Sequence, residues 1–126
     1  MSQYDVLFQP LNINKLTIRN RIVSTAHAEV YATDGGMTTD RYVKYYEEKA
    51  KGGCGLCICG GSSVVAIDSP QSWWSSVNLS TDRIIPHFQN LADAVHKHGG
   101  KIMIQITHMG RRSRWDGENW PNLMSP

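Results

Sequence analysis

Three short apolar runs, Ile22-Val23, Leu56-Cys57-Ile58-Cys59 and Ile102-Met103-Ile104-Gln105-Ile106, alternate with two amphipathic stretches, each closed by a glycine pair. That alternation constrains the fold more than any other feature. It reads strand, helix, strand, helix, strand, and each helix is long enough to cross over between parallel strands. The class is therefore α/β. In the first helix, Thr38 or Thr39 is placed to cap the N-terminus and Asp40 favours the positive end of the dipole. Tyr42, Val43, Tyr46 and Ala50 share one face, Lys44, Glu47, Glu48 and Lys51 point outward, and Gly52-Gly53 stops the helix. The second helix begins near Thr81-Asp82, with Pro86 in its first turn and a buried stripe of Ile85, Phe88, Leu91 or Ala92, and Val95. Gly99-Gly100 ends it.

Ahead of these units, Leu11-Asn12-Ile13 and Leu16-Thr17-Ile18 flank Asn14-Lys15 and predict a hairpin, since Asn tolerates the positive φ of a two-residue turn. The first strand should run from Ile22 to about Ala26, and the second should end in Gly60-Gly61. Residues Arg111 to Pro126 read as a loop. The chain has 126 residues, whereas a closed (β/α)₈ barrel needs about 250. Three strands make either a small α/β domain or the first part of something larger.

Composition narrows the function classes. Thirteen Lys and Arg against eleven Asp and Glu give +2, too little to imply nucleic acid. No apolar stretch approaches the roughly 20 residues that span a bilayer, and Met1 to Pro10 lacks a signal-peptide pattern. Cys54, Cys57 and Cys59 are an odd, crowded set rather than a disulfide framework, which points to a reducing, cytoplasmic setting. A zinc or iron–sulfur site usually needs four ligands, and no fourth is suitably spaced, so the cysteines read as buried structural residues and no metal is expected.

In parallel α/β folds, functional groups gather at the carboxyl ends of the strands. Here those ends are Thr25-Ala26-His27-Ala28-Glu29, Gly60-Gly61-Ser62-Ser63 and Gln105 through Arg111. Each combines small residues, which admit a ligand to the backbone, with an isolated polar group. Gln105 lies in an apolar strand, where an unpaired buried amide costs about 1–3 kcal/mol. Its donor and acceptor suit the edge of a flavin or another heterocycle; a bond to neighbouring backbone is the alternative. His27 reads as a proton carrier, a substrate ligand or a polar residue closing a strand. For Arg111 and Arg112 a salt-bridged loop anchor is preferred, and His96 and His98 fit a helix C-terminus. Trp73-Trp74 either walls a ligand or partner surface or covers a rim.

Taken together, Leu7-Phe8-Gln9-Pro10-Leu11, Leu16 through Val23, Tyr45 through Leu56 and Gln105 through Arg111 resemble the N-terminal third of the Old Yellow Enzyme family, the FMN-dependent NADH:flavin oxidoreductases. The resemblance implies a (β/α)₈ TIM barrel with a hairpin plugging its amino end. Residues 1–126 would form the hairpin and about the first three βα units of this FMN-binding domain. It further implies that Ala26, His27 and Ala28 lie along the flavin, that Gly61 approaches it and that Gln105 bonds its pyrimidine edge. Many members carry Pro at the position of Ala26 and some a flavin-tuning Cys or Thr at that of Ala28; Ala28 cannot tune the ring through its side chain. The family's substrate-binding His pair, its proton-donating Tyr, a flavin-contacting Arg and its phosphate loops lie beyond the third strand. The remainder of the barrel, in the same or another chain, is thus the expected partner, and an unclosed sheet edge predicts association into oligomers. Ser24 through Ala28 with Gly60 through Ser63 is similar to the trimethylamine dehydrogenase and dienoyl-CoA reductase branch, closest to N-methyl amino acid demethylases. Oxidative demethylation of an N-methylated amine is then the leading expectation. Reduction of an activated alkene by NAD(P)H, or a non-catalytic or truncated piece of such a barrel, are the alternatives. An iron–sulfur cluster and a second nucleotide site belong to the larger members of that branch, outside this chain.

Overall fold

A computed structural model describes residues 2–65 and 76–108. Trp73-Trp74, the Met109–Arg111 end of the third strand segment and the loop expected from Arg111 to Pro126 lie outside the described residues.

The N-terminal hairpin pairs β1 (Leu11–Ile13) with β2 (Leu16–Ile18), antiparallel, with Leu11 opposite Ile18. Asn14 takes φ 51°, the left-handed turn conformation its side chain tolerates. A parallel sheet follows in the order β3 (Val23–Ser24), β4 (Leu56–Val64), β5 (Lys101–Thr107). Helices α1 (Asp40–Lys51) and α2 (Ile85–His96) make the crossovers. Thr39 caps α1, its side chain accepting from the Tyr42 amide at 3.2 Å. The core lies between the helices and one face of the sheet: Tyr42, Val43, Tyr46 and Ala50 from α1, Leu91 and Val95 from α2, and Cys57 and Cys59 from β4 are all buried. Ile102 and Ile104 pack on this cluster, while Met103 and Gln105, on the alternate positions of β5, are exposed.

Four local expectations are corrected. β3 ends at Ser24, not near Ala26, because beyond Ser24 it has no ladder partner on β4. β4 does not stop at Gly60-Gly61 but runs to Val64, with a register irregularity between Cys59 and Ser63. Gly60, at φ +77°, makes that bulge possible. Ile85 is exposed, and Ile84 is buried in its place. The cause is a 3₁₀ turn at Asp82–Ile84, whose three-residue period shifts the phase before α2 begins. Glu47, expected to face outward, is buried; it pairs with Lys44 on its own helix and with His98, 3.4 Å away.

The Leu16–Val23 block ties the hairpin to the helix ends. The Arg19 guanidinium donates to the carbonyls of His98 (2.6 Å), Ala50 (2.5 Å) and Cys54 (3.2 Å). These carbonyls lie at or just past the C-termini of the two helices, where a cation is favoured. Asn20 is buried, donates to the Gly53 carbonyl at 2.7 Å and accepts from the Ile22 amide at 3.1 Å.

Candidate functional site

Parallel pairing of consecutive strands brings their carboxyl ends to one edge, and the bulge in β4 joins them. The Gly61 amide donates to the His27 carbonyl at 3.3 Å, and the Thr107 hydroxyl donates to the Gly61 carbonyl at 3.4 Å. Gly61 therefore links the segment after β3 to the end of β5. A Cβ on Gly61 would lie 2.7–2.8 Å from the backbone N, Cα and C of His27, so only glycine permits this approach.

Ala26, His27, Gly61 and Gln105 thus share one sheet edge. Ala26 is half-buried; Ala28 and His27 are exposed. Gln105 is exposed as well. It therefore escapes the cost of a buried amide expected from its apolar strand, and its carboxamide is free of the apolar core. His108 is exposed. His96 closes α2, as a helix C-terminus favours, whereas His98 also engages Glu47. Hydrogen bonds to Lys44 and then His98 hold the Glu47 carboxyl below the usual carboxylate range.

Two groupings have no local sequence signal. In the first, the Tyr45 hydroxyl lies 2.7 Å from His27 Nε2, and the rings meet edge-on at 5.5 Å. The second sits under the strand ends, where Glu29, Tyr42 and Ser63 converge around a cavity of about 10 Å³ bounded also by Ala28 and Gly60, with Cys59 beside Tyr42. Glu29 Oε1, the Tyr42 hydroxyl and Ser63 Oγ are buried without a hydrogen-bond partner among the described residues. Burial raises the Glu29 carboxyl above its ordinary value. Burial, and then the neighbouring Cys59 and Glu29, raises the Tyr42 phenol. Burial likewise pushes the Cys57 and Cys59 thiols up to about 12. Val30, which follows Glu29, takes φ 57°, an uncommon conformation for a β-branched residue. No group of three or more His, Cys, Asp or Glu among the described residues is arranged to hold a metal ion. No described helix is long and apolar enough to cross a membrane.

The N-terminal hairpin and the parallel βαβαβ connectivity match the opening portion of a (β/α)₈ barrel. The chain belongs to the NADH:flavin oxidoreductase / NADH oxidase family, which it matches over residues 6–126. It is 85% identical over 98% of its length to the N,N-dimethylglycine/sarcosine dehydrogenase of Chromohalobacter salexigens. It is 42% identical over 97% of its length to the multifunctional alkene reductase/demethylase OYE of Caballeronia cordobensis. In each case the chain spans 18% of the relative's length. Among solved structures, the old yellow enzyme of Trypanosoma cruzi superposes with a TM-score of 0.79 at 30% identity, covering 89% of this chain and 29% of that one.

Flavin is the cofactor of this family, and the residues present fit one wall of a site for a flat heteroaromatic ring. Alanine and glycine at positions 26, 28 and 61 put little side-chain bulk at the sheet edge, and Gln105 holds an exposed carboxamide there.

Proposed function

We propose that the chain forms one wall of the FMN site of an oxidoreductase that demethylates a small N-methylated amine such as a methylated glycine. The observation that carries this reading is the 85% identity, along almost the whole chain, to a protein named as a dimethylglycine/sarcosine dehydrogenase. The strand-end geometry supports it. The backbone from Ala26 to Ala28 would lie along the ring, Gly61 would hold that backbone in place, and the Gln105 carboxamide would both donate to and accept from the pyrimidine edge. FMN, when bound, supplies the acceptor for the hydride leaving the N-methyl carbon. The protein's share is orientation, hydrogen bonding and exclusion of water. His27 is exposed at this edge, and its imidazole is the candidate for holding a proton there.

The remaining strands of the barrel would complete the site. The phosphate anchors of such barrels usually come from the loops after strands seven and eight. Residues 1–126 alone are therefore expected to bind FMN weakly and to turn nothing over. A second reading, reduction of an activated alkene by NAD(P)H, is favoured by the 42% identity to a protein named for both activities.

The deciding experiment uses the full-length protein with FMN under anaerobic conditions. Flavin absorbance bleached by dimethylglycine or sarcosine, and not by NADPH, supports amine demethylation. Bleaching by NADPH and recovery on adding an enone, with no response to the amines, would replace it by the alkene reading.

A further inference from the structure

The segment after β3 is held from two sides. Gly61 contacts the His27 backbone from within the sheet, while α1 reaches it from outside through Tyr45 and holds the end of β3 through Lys49. Lys49 donates to the Ser24 hydroxyl at 2.9 Å, and its ammonium lies 4.2 Å from the centre of the Tyr45 ring. The other nitrogen of His27, Nδ1, faces the Thr25 carbonyl at 3.5 Å. A carbonyl can only accept, so the neutral tautomer that satisfies both contacts carries its proton on Nδ1 and accepts from the Tyr45 hydroxyl at Nε2, 2.7 Å away.

We propose that Tyr45 is a positioning residue for the FMN wall: its hydroxyl fixes the tautomer and orientation of His27 and thereby the placement of Ala26 to Ala28 against Gly61. The proposal rests on the FMN reading above. The role assigned to Tyr45 runs through His27, eighteen residues away in the chain. The Tyr31 and Tyr46 rings meet the Tyr45 ring edge-on at 5.9 and 5.3 Å, so the ring stays packed when its hydroxyl is removed. Tyr45→Phe therefore deletes the hydrogen bond with little change in packing.

The test compares the full-length protein, Tyr45→Phe, His27→Ala and the double variant. Fluorescence titration gives the FMN Kd, and nitrogen-15 NMR of labelled histidine reads the His27 tautomer. One neutral hydrogen bond predicts a Kd about 2- to 12-fold weaker in Tyr45→Phe. His27 should lose its single tautomer, and Tyr45→Phe should add nothing further in the His27→Ala background. A purely structural pair would lower the melting temperature and leave Kd and tautomer unmoved, and that result overturns the proposal. Additive effects in the double variant also overturn it. Wild type that does not bind FMN at all overturns both readings; wild type that binds, with Tyr45→Phe indistinguishable from it, overturns this one alone.

Discussion

Replacing Gly61 with alanine isolates one contact. Gly61 does not have a positive φ, so alanine adds no backbone strain there. The whole effect comes from a Cβ placed 2.7 Å from the nearest His27 backbone atom. Relieving that overlap means moving one strand end from 2.7 Å out to the 3.4 Å of ordinary contact, a shift of about 0.7 Å. Overpacking of this kind typically costs about 1–3 kcal/mol. If the cost falls on the arrangement that receives FMN, the Kd rises about 5- to 150-fold. Gly35→Ala is the matched control: its Cβ would meet only the Thr33 hydroxyl, at 3.8 Å, and should leave the Kd unchanged. Equilibrium titration of the full-length protein by flavin fluorescence measures both. A Gly61→Ala variant with wild-type affinity and stability would show that the closeness of Gly61 to His27 does not set the site, and the reasoning would fail at its central contact.

Further predictions concern the buried groups. Burial raises the Glu29 carboxyl in the folded state, so its contribution is fully present below the ordinary carboxylate range. It is lost as pH rises through the raised folded value. Glu29→Gln should therefore gain stability relative to wild type between pH 4 and pH 7, read as the difference in urea midpoints; an unchanged or shrinking difference contradicts the assignment. The Cys57 and Cys59 thiols, fully buried and raised to about 12, should resist an aromatic disulfide reagent at pH 8 until denaturant is added. Mass-spectrometric mapping of either as labelled in the native protein would refute that.

What was legible in the sequence follows from period and punctuation. The 3.6-residue stripe of Tyr42, Val43, Tyr46 and Ala50 became the buried face of α1, and Asn14 took the positive φ that its place in the turn implied. Two of the departures share a cause: local pattern cannot register a partner distant in sequence. A glycine pair after an apolar run reads as a stop, but β5, which pairs with β4 on both sides of the irregularity, carries the strand through Gly60-Gly61 as a bulge. Glu47 has the chemistry of an outward residue and is drawn inward by His98, 51 positions away. Ile84 rather than Ile85 is buried because a single tight turn shifts helical phase, which residue composition does not encode.

For the candidate site, small residues at the strand ends suggest backbone approach, and the structure shows one at Gly61, against the His27 backbone. The groups that fix those positions were hidden. Tyr45 sits between the buried and exposed faces of α1, where periodicity assigns a residue to neither, and its hydroxyl becomes meaningful only beside His27. Glu29 followed two alanines and a histidine between them and read as one more polar loop residue; its burial arises from Tyr42 and from the bulged glycine of β4. The strand-end wall is thus a thin layer of small residues supported by aromatic and ionisable side chains from α1 and β4. A substitution in that supporting layer, such as Tyr45→Phe, should change cofactor affinity through the backbone position of His27, the residue its hydroxyl meets.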